Sequence, residues 1–341
     1  MNILYVHICR IKNDFSGIEH PSQTGTIDIY KSKNRTTDIT MKTIRIITIF
    51  LALCIALGAC AKASPKAPRR AKNKNEYPRA EIMVSYLCHE EHLKTDAKAY
   101  TAEYQMILLA NGTESKFYNA KCEYIDSLRS TPSGKRMYRE IFSNISRKYA
   151  ETGVFDDSAL PENRMFIFKS RNDSITSLFD RNGSSSAHYY TEPLGGMQWQ
   201  IVDSTRMILG YECVMAETDF RGRHWTAWFA PEIPLQDGPW KLCGLPGLIL
   251  EAADSTGQHS FTADGIESSD MEMTPVYNME SYEKVSRIEM LAAQREFLLK
   301  GDTMSRMLIQ NAPDGSKIDM PEPEYEKNPD LHIDFLETDY H

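Results

Sequence analysis

The sequence predicts a mainly β protein of the α+β class, built on a curved antiparallel β-sheet with a few packing helices. Three observations indicate this class. Turn-forming pairs recur at short intervals between Asn111-Gly112 and Thr256-Gly257, as they do between sequential antiparallel strands. The runs between these turns are rich in β-branched and aromatic residues, which favour strands. Only two segments after residue 78 have the apolar spacing of a helix.

Each strand is predicted where such a run is bounded by turn residues. The expected strands cover residues 81–87, 104–110, 115–118, 165–169, 188–190, 199–202, 207–217, 225–230, 248–252 and 260–263. Apolar residues at helical spacing predict a first helix, around Met137, Ile141, Ile145 and Tyr149. A second helix is predicted from the same spacing and ends before Gly301: Val285, Ile288, Leu291, Ala292 and Leu298.

The N-terminal region carries a delivery signal. Residues 41–59, MKTIRIITIFLALCIALGA, combine a positive start (Lys42 and Arg45) with an apolar run that ends in small residues, the pattern of a secretory signal peptide. Residues 1–40 are polar and precede this complete signal. We therefore expect residues 1–40 to be an extension from a misassigned start.

The end of this signal has the sequence LGAC, residues 57–60, which resembles the lipobox of bacterial lipoproteins. The resemblance implies that Cys60 is lipidated and becomes the first mature residue. The alternative is a soluble signal that is cut after Ala61 or Ala63, which also satisfy the small-residue rule. The acidic surface-export signature of similar Bacteroidetes lipoproteins is absent after Cys60, which implies a periplasm-facing anchor in the outer membrane.

Three further regions follow the signal. Residues 60–77 are basic and rich in Ala and Pro without apolar periodicity, which predicts a flexible tether. Residues 78–305 are long enough for a single β-rich domain with its own core. Residues 306–341 are acidic and contain proline, so we expect a disordered tail.

The charge excludes one class of function. The chain has 39 basic and 47 acidic side chains. Removing residues 1–59, which hold 7 and 4 of them, leaves 32 and 43, a net charge of about −11. Nucleic-acid binding requires clustered Lys and Arg to displace counterions, so we expect no nucleic-acid partner.

The usual catalytic and cofactor motifs are absent from the sequence. It has no Gly-x-Ser-x-Gly elbow, no glycine-rich phosphate loop and no Cys-x-x-Cys pair. His89 and His92 are three residues apart, whereas a zinc helix needs a spacing of four, and on a strand they face opposite sides. We therefore predict no metal and no cofactor, and the sequence favours a non-enzyme.

Cysteine usage fits an oxidising compartment. After removal of the signal and lipidation of Cys60, four cysteines remain, and an even number in an exported protein favours two disulfides. Four cysteines allow three pairings, and a local pairing is preferred. The candidates are Cys88 with Cys122 and Cys213 with Cys243.

A block of motifs resembles one protein family. Residues 209–254, LGYECVMAETDFRGRHWTAWFAPEIPLQDGPWKLCGLPGLILEAAD, are similar to the signature of the GLPGLI family of Bacteroidetes, and ESKFYNAK at residues 114–121 supports this. The family is exported and its biochemical function is unknown. Its hexapeptide occurs here as Gly244, Leu245, Pro246, Gly247, Leu248 and Ile249. The order of strands and turns is also similar to the half-barrel of periplasmic lipoprotein carriers, which implies a bent sheet over a helix.

The hexapeptide predicts an apolar turn. Pro246-Gly247 fits a type II turn, with proline at its second position and a glycine of positive φ at its third. Because the turn is flanked by leucines, we interpret it as a structural corner with a buried underside. Burial of Leu245 and Leu248 would contribute about 3–6 kcal/mol in total.

A candidate binding surface lies beside this corner. Trp228 and Trp240 could line a groove for an apolar ligand, with Arg221 and Arg223 holding its carboxylate or phosphate headgroup. The alternatives are that the tryptophans belong to the core and that the arginines solvate the hairpin or pair with acidic neighbours.

Three classes of function remain open from the sequence. The favoured one is a non-catalytic, membrane-tethered envelope protein that binds a ligand or an outer-membrane receptor or transport complex. A carrier of lipid or another apolar molecule would need an elongated apolar groove. An enzyme with an unrecognised site would need polar side chains with shifted pKa values converging in one pocket.

Overall fold

The computed structural model describes residues 77–92, 100–154, 156, 158–182, 186–300 and 335–339. The predicted signal peptide, Cys60 and nearly all of the predicted tether lie outside the described residues. Twelve strands occur in the described ranges: β1 (Ile82–His92), β2 (Tyr100–Ala110), β3 (Glu114–Tyr118), β4 (Met165–Ser170), β5 (Ile175–Asn182), β6 (Ser186–Pro193), β7 (Gln200–Ile208), β8 (Tyr211–Phe220), β9 (Arg223–Ala230), β10 (Leu248–Asp254), β11 (His259–Ser268) and β12 (Glu283–Lys284).

All twelve strands join one curved, open sheet in the order β12-β6-β5-β4-β3-β2-β1-β11-β10-β9-β8-β7. Every pairing is antiparallel except that of the short β12 with β6. The prediction of a mainly β fold with a curved antiparallel sheet and a few packing helices is confirmed. Near the middle of the sheet, β1 also pairs with β11, which places Glu90 opposite His259.

Three α-helices accompany the sheet: α1 (Ala120–Arg129), α2 (Pro132–Thr152) and α3 (Arg287–Lys300). The two predicted helices correspond to α2 and α3. Helix α1 was not predicted, although Asn119 caps it by accepting a hydrogen bond from the backbone N–H of Cys122 at 3.1 Å. No helix in the described residues is long and apolar enough to cross a membrane.

The two faces of the sheet bury separate hydrophobic clusters. The main core lies on one face, where β1, β2, β8, β9 and β10 direct alternate side chains inward, and α3 contributes Met290 to it. The second cluster lies on the other face under α1 and the segment 271–282, and includes Leu109, Tyr118, Cys122 and Phe166. The sheet therefore separates two interiors.

One strand prediction was wrong, and two strands, β5 and β12, were not predicted. The run 207–217 is broken by a tight turn, because Leu209 and Gly210 both adopt positive φ (52° and 84°) and divide it between β7 and β8. Strand β5 was not predicted at all, since its sequence ITSLFDRN mixes charged and apolar residues. Its buried position comes from its neighbours β4 and β6 and not from its own composition.

The end of the chain differs from the predicted disordered tail. Residues 335–339, FLETD, pack against the domain, with Phe335 at 6% and Glu337 at 3% exposure. A carboxylate is buried this deeply only when it is paired, and Glu337 is paired with cations of the folded domain. At these positions the acidic side chains therefore pair with cations of the folded domain. Residues 306–334 lie outside the described ranges.

Candidate functional site

The hexapeptide corner is held by a buried ion pair. Lys169 of β4 donates to Asp237 Oδ1 at 2.6 Å and to the Gly238 carbonyl at 2.7 Å, and Arg171 donates to Asp237 Oδ2. Both Lys169 and Asp237 are at least 98% buried. Burial opposes ionisation of Asp237, but the nearby charges of Lys169 and Arg171 outweigh it and keep the pKa of this carboxyl below its usual value.

The glycines of the hexapeptide do not serve the predicted type II turn. Gly244 has the positive φ, 93°, while Gly247 does not. Gly247 is required because a Cβ there would lie 2.3 Å from the carbonyl oxygen of Ala230, on the neighbouring strand. The motif is a close crossing of two chain segments. Its apolar residues are buried in the main core: Leu245, Leu248 and Ile249 at 1%, 0% and 0% exposure, whereas Gly244 and Pro246 are exposed.

The structure does not assemble the predicted binding groove of Trp228 and Trp240. Trp240 is 1% exposed and packs with its ring centroid 5.7 Å from that of Trp225 in the core. Trp228 alternates to the other face of β9 and is half-buried. The guanidinium of Arg206 lies 4.2 Å from its ring centroid, in a cation–π contact. Trp240 is therefore a core residue, and Trp228 is partly exposed at the edge of the same core.

Arg221 and Arg223 also differ from their predicted role as ligand-binding groups. Arg223 is buried, donates to Asp254 Oδ2 at 2.7 Å and donates to the Phe335 carbonyl at 2.5 Å. Arg221 donates to Glu192, and its carbonyl accepts from the Thr338 N–H at 2.9 Å. Both arginines pair with acidic neighbours, which agrees with the alternative role predicted from the sequence. Both also bind the segment 335–339 through hydrogen bonds.

The four cysteines of the domain are free thiols in the structure, which differs from the predicted disulfides. Cys88 belongs to the main core and Cys122 to the second cluster, so the sheet stands between them. Cys213 and Cys243 are buried and likewise unbonded. Burial raises the pKa of every one of these thiols, that of Cys213 to about 11. Thiols with such pKa values are poor nucleophiles.

Glu337 fastens the terminal segment 335–339. Its Oε1 accepts from Lys241 Nζ at 2.5 Å and its Oε2 from Arg287 Nη1 at 2.6 Å. Lys241 follows Trp240 in the corner and also donates to the Tyr190 hydroxyl at 2.6 Å. The Glu337 carboxylate therefore connects the corner to the start of α3, and Lys241 extends this network to β6.

A cavity of about 130 Å³ lies beneath this fastened segment. It is bounded by the main-core face of the sheet, helix α3 and residues 335–337. Its apolar wall consists of Met165, Leu178, Tyr190, Trp240, Met290, Leu291, Phe335 and Leu336. Its polar wall consists of Glu90, Glu162, Asn163, Arg164, Asp180, Arg181, His259, Gln294 and Glu337. This mixture of apolar and convergent polar groups is typical of small-molecule sites.

The polar wall is held by internal hydrogen bonds. Tyr104 donates to Glu90 and accepts from Asn163 Nδ2 at 3.1 Å. Gln294 of α3 donates to Asp180 Oδ2 at 2.7 Å. Burial is the main cause that raises the pKa of Asp180, and burial followed by the charge of Glu90 raises that of Tyr104. These groups form a rigid polar surface beside an apolar one.

Sequence reasoning missed this cavity, since its walls come from β1, β4, β5, β6, β11, α3 and the chain end. One signal was available: Glu90 lies between His89 and His92, the histidine pair whose spacing does not fit a zinc helix. In the structure His89 Nδ1 lies 3.5 Å from Glu103 Oε1. Within the described ranges, no three His, Cys, Asp or Glu side chains are grouped as a metal ion would need.

The fold and the site define a class: a mainly β protein with one open curved sheet and a partly polar cavity on its main-core face. A family profile described as "Protein of unknown function (Porph_ging)" matches residues 221–251. This match lies inside the block 209–254 and covers a small part of the chain. No curated protein matches the chain in sequence.

Solved structures share parts of the fold at low identity. The structure of PNGF-II, in two crystal forms, has TM-scores of 0.42 and 0.41 at 13% identity. The match covers 67% of this chain and 34% of the PNGF-II chain, so this chain spans about a third of that length. A putative outer membrane lipoprotein-sorting protein domain from Vibrio parahaemolyticus has a TM-score of 0.20 at 7% identity, over 58% of this chain and 89% of the domain. A LolA superfamily protein from Nitrosomonas europaea has 0.21 at 10%, over 60% and 91%.

Proposed function

We propose that this protein is an exported, lipid-anchored envelope protein of the GLPGLI type that binds a small amphipathic ligand without catalysis. The observation that carries the binding proposal is the cavity of about 130 Å³ with one apolar and one polar wall. A dry cavity of about 150 Å³ holds one benzene molecule, so the apolar part of the ligand is of about that size. Its polar part faces the Glu90 and Asp180 wall.

The geometry supports a binder better than a carrier of long acyl chains. A carrier needs an elongated apolar groove, whereas this cavity has a volume of about 130 Å³ and about half of its lining residues are polar or charged. The raised pKa values of Asp180 and Tyr104 come first from burial, and both groups have structural hydrogen-bond partners. Because these hydrogen bonds fix Asp180 and Tyr104 in place, the two side chains support a rigid surface for ligand binding.

Filling the cavity tests the binding proposal. We expect native mass spectrometry of the purified full chain to show a mass excess that disappears on denaturation. Leu291→Trp places an indole in the cavity and is expected to abolish the excess, because Leu291 lines it at 5% exposure. The matched control is Ile288→Trp on the same helix, where the side chain is 48% exposed and outside the cavity.

The control should retain the excess, and circular dichroism should show both variants folded, since overpacking costs about 1–3 kcal/mol. An unchanged mass excess in Leu291→Trp would contradict binding in this cavity.

Replacing the predicted lipid-attachment residue tests the envelope location. Cys60→Ser is expected to move the protein from the membrane fraction to the soluble periplasmic fraction, because the acyl chains that hold it would be absent. Cys54→Ser, within the apolar run of the signal, is the matched control and should leave the protein in the membrane fraction. Membrane retention of the Cys60→Ser chain would refute anchoring through Cys60.

A further inference from the structure

A second depression lies on the other side of the domain, beside helices α1 and α2. It is an open groove of about 360 Å³, separate in its lining from the cavity of the proposed function except for Arg181. We call it the basic groove, defined by Arg129, Lys135, Tyr138, Arg139, Arg181, Asn278, Glu280 and Ser281. Four of these eight residues are cations and one is an acid.

Of the four cations of the basic groove, only Arg181 has a carboxylate within 4 Å among the described residues, that of Asp126 at 3.8 Å. Among the residues that the structure describes, no carboxylate forms an ion pair with Arg129, Lys135 or Arg139. Elsewhere in the same domain, buried or half-buried cations do have such partners, as Lys169 and Arg223 do. On a chain of net charge −8, a concave cluster of four cations, three of them without an ion-pair partner among the described residues, concentrates a local positive potential.

Arg181 forms the floor of the basic groove and is only partly satisfied. It is 9% exposed, and its Nη2 donates to Ser281 Oγ at 2.7 Å. Its guanidinium lies 4.7 Å from the Tyr282 ring centroid. Its nearest carboxylate oxygen, on Asp126, is 3.8 Å away, beyond hydrogen-bond distance. Its Nε is buried with no hydrogen-bond partner among the described residues, which is costly for a charged donor.

Arg129 is held close to this buried charge. It is half-buried, with its guanidinium 5.3 Å from the Tyr138 ring centroid. Burial first, and then the positive charge of Arg181, lower the pKa of Arg129. The two positive charges repel one another, the nearby carboxylate of Asp126 offsets this repulsion only in part, and a bound anion beside them would reduce it further.

We propose that the basic groove is a binding site for a phosphate group, held by Arg129 and Arg139 at the rim and by Arg181 at the floor. The planar forks of arginine match phosphate oxygens bidentately. The groove is larger than one phosphate, so it admits a phosphorylated small molecule or the headgroup of an anionic lipid. This proposal does not rest on the proposed function of the cavity.

Calorimetric titration with inorganic phosphate tests the site. The full chain carrying Cys60→Ser is used, so that a lipid anchor does not contribute. Arg129→Gln with Arg139→Gln is expected to weaken phosphate binding about tenfold or more, because charge-assisted hydrogen bonds are lost. The matched control is Arg136→Gln with Arg147→Gln: both residues are exposed on α2 outside the groove, and the change in net charge is the same. The control should bind within about twofold of the parent.

Vesicle co-sedimentation distinguishes the two sources of phosphate. The same three proteins are mixed with phosphatidylcholine vesicles that contain phosphatidylglycerol, and with phosphatidylcholine alone. Loss of binding to the anionic vesicles in the groove variant but not in the control identifies a lipid headgroup. Phosphate binding with no groove-dependent vesicle binding identifies a soluble phosphorylated ligand. The basic segment 60–77 is present in all three proteins and so does not affect the comparison.

Two outcomes would overturn the phosphate site. One is that neither phosphate nor anionic vesicles bind in a groove-dependent way. The other is that the control loses as much affinity as the groove variant, which would show attraction by net charge alone. Neither outcome bears on the cavity, whose test is the mass excess and its loss in Leu291→Trp.

Discussion

Replacing Asp237 with asparagine is expected to lower the free energy of unfolding by about 3–5 kcal/mol. The change is nearly isosteric, but it removes the carboxylate that neutralises Lys169 and Arg171. Lys169 is 2% exposed, so its ammonium would remain buried with only carbonyl partners. Chemical denaturation of the purified variant and parent measures the difference.

The effect of Asp237 should also depend on pH. Its pKa is lower in the folded protein than the value of about 3.9 for an unfolded aspartate. The stabilisation is therefore fully present above the unfolded pKa and is lost as the pH falls through the folded one. We expect the difference between parent and Asp237→Asn to be constant near neutral pH and to shrink below about pH 4.

Asp203→Asn is the control for this experiment, because Asp203 is exposed on β7. It should change the free energy of unfolding by about 0.5 kcal/mol or less. A destabilisation of Asp237→Asn no larger than that of Asp203→Asn would contradict the role of the ion pair in the corner.

Gly247→Ala is expected to destabilise the domain by about 2–4 kcal/mol. The added methyl would lie 2.3 Å from the Ala230 oxygen and 2.7 Å from the Ala230 carbonyl carbon. Both are backbone atoms of the main core, so β9 or the corner must move. Thermal and denaturant unfolding measure the loss.

Two matched variants accompany Gly247→Ala. Gly112→Ala adds the same methyl where no atom lies within 4 Å and should be close to neutral. Pro246→Ala removes an exposed ring and should cost about 1 kcal/mol or less. The double variant Pro246→Ala with Gly247→Ala is expected not to fold stably. A double variant that folds as well as the parent and has lost only a partner would disprove the structural corner.

Local sequence predicts the corner only in part. The Gly and Pro residues of the corner and the leucines beside them correctly indicate a tight apolar turn. The specific conformation was predicted wrongly, since Gly247 is needed for its approach to Ala230 and not for positive φ. Turn rules describe four consecutive residues, whereas this approach joins residues 17 positions apart in the sequence.

Sequence proximity predicts the candidate sites less well than it predicts the corner. Trp228, Trp240, Arg221 and Arg223 are neighbours in sequence and were predicted to share a groove, yet alternation along β9 and pairing with the chain end separate them. The cavity, by contrast, brings Glu90, Asp180 and Glu337 together from distant segments. The basic groove joins α1, α2, β5 and the segment 278–281 in the same way.

The sequence by itself determined the mainly β class, helices α2 and α3, most strand positions and the export signal hypothesis, because each depends on patterns within about ten residues. Tertiary structure alone decided the sheet order, the free state of Cys88 and Cys122 on opposite faces, the buried partners of Asp237 and Glu337, and the cavity and the basic groove. The physical reason is that burial and charge pairing depend on which segments pack together, and a carboxylate has the same local signature whether it meets water or a buried lysine.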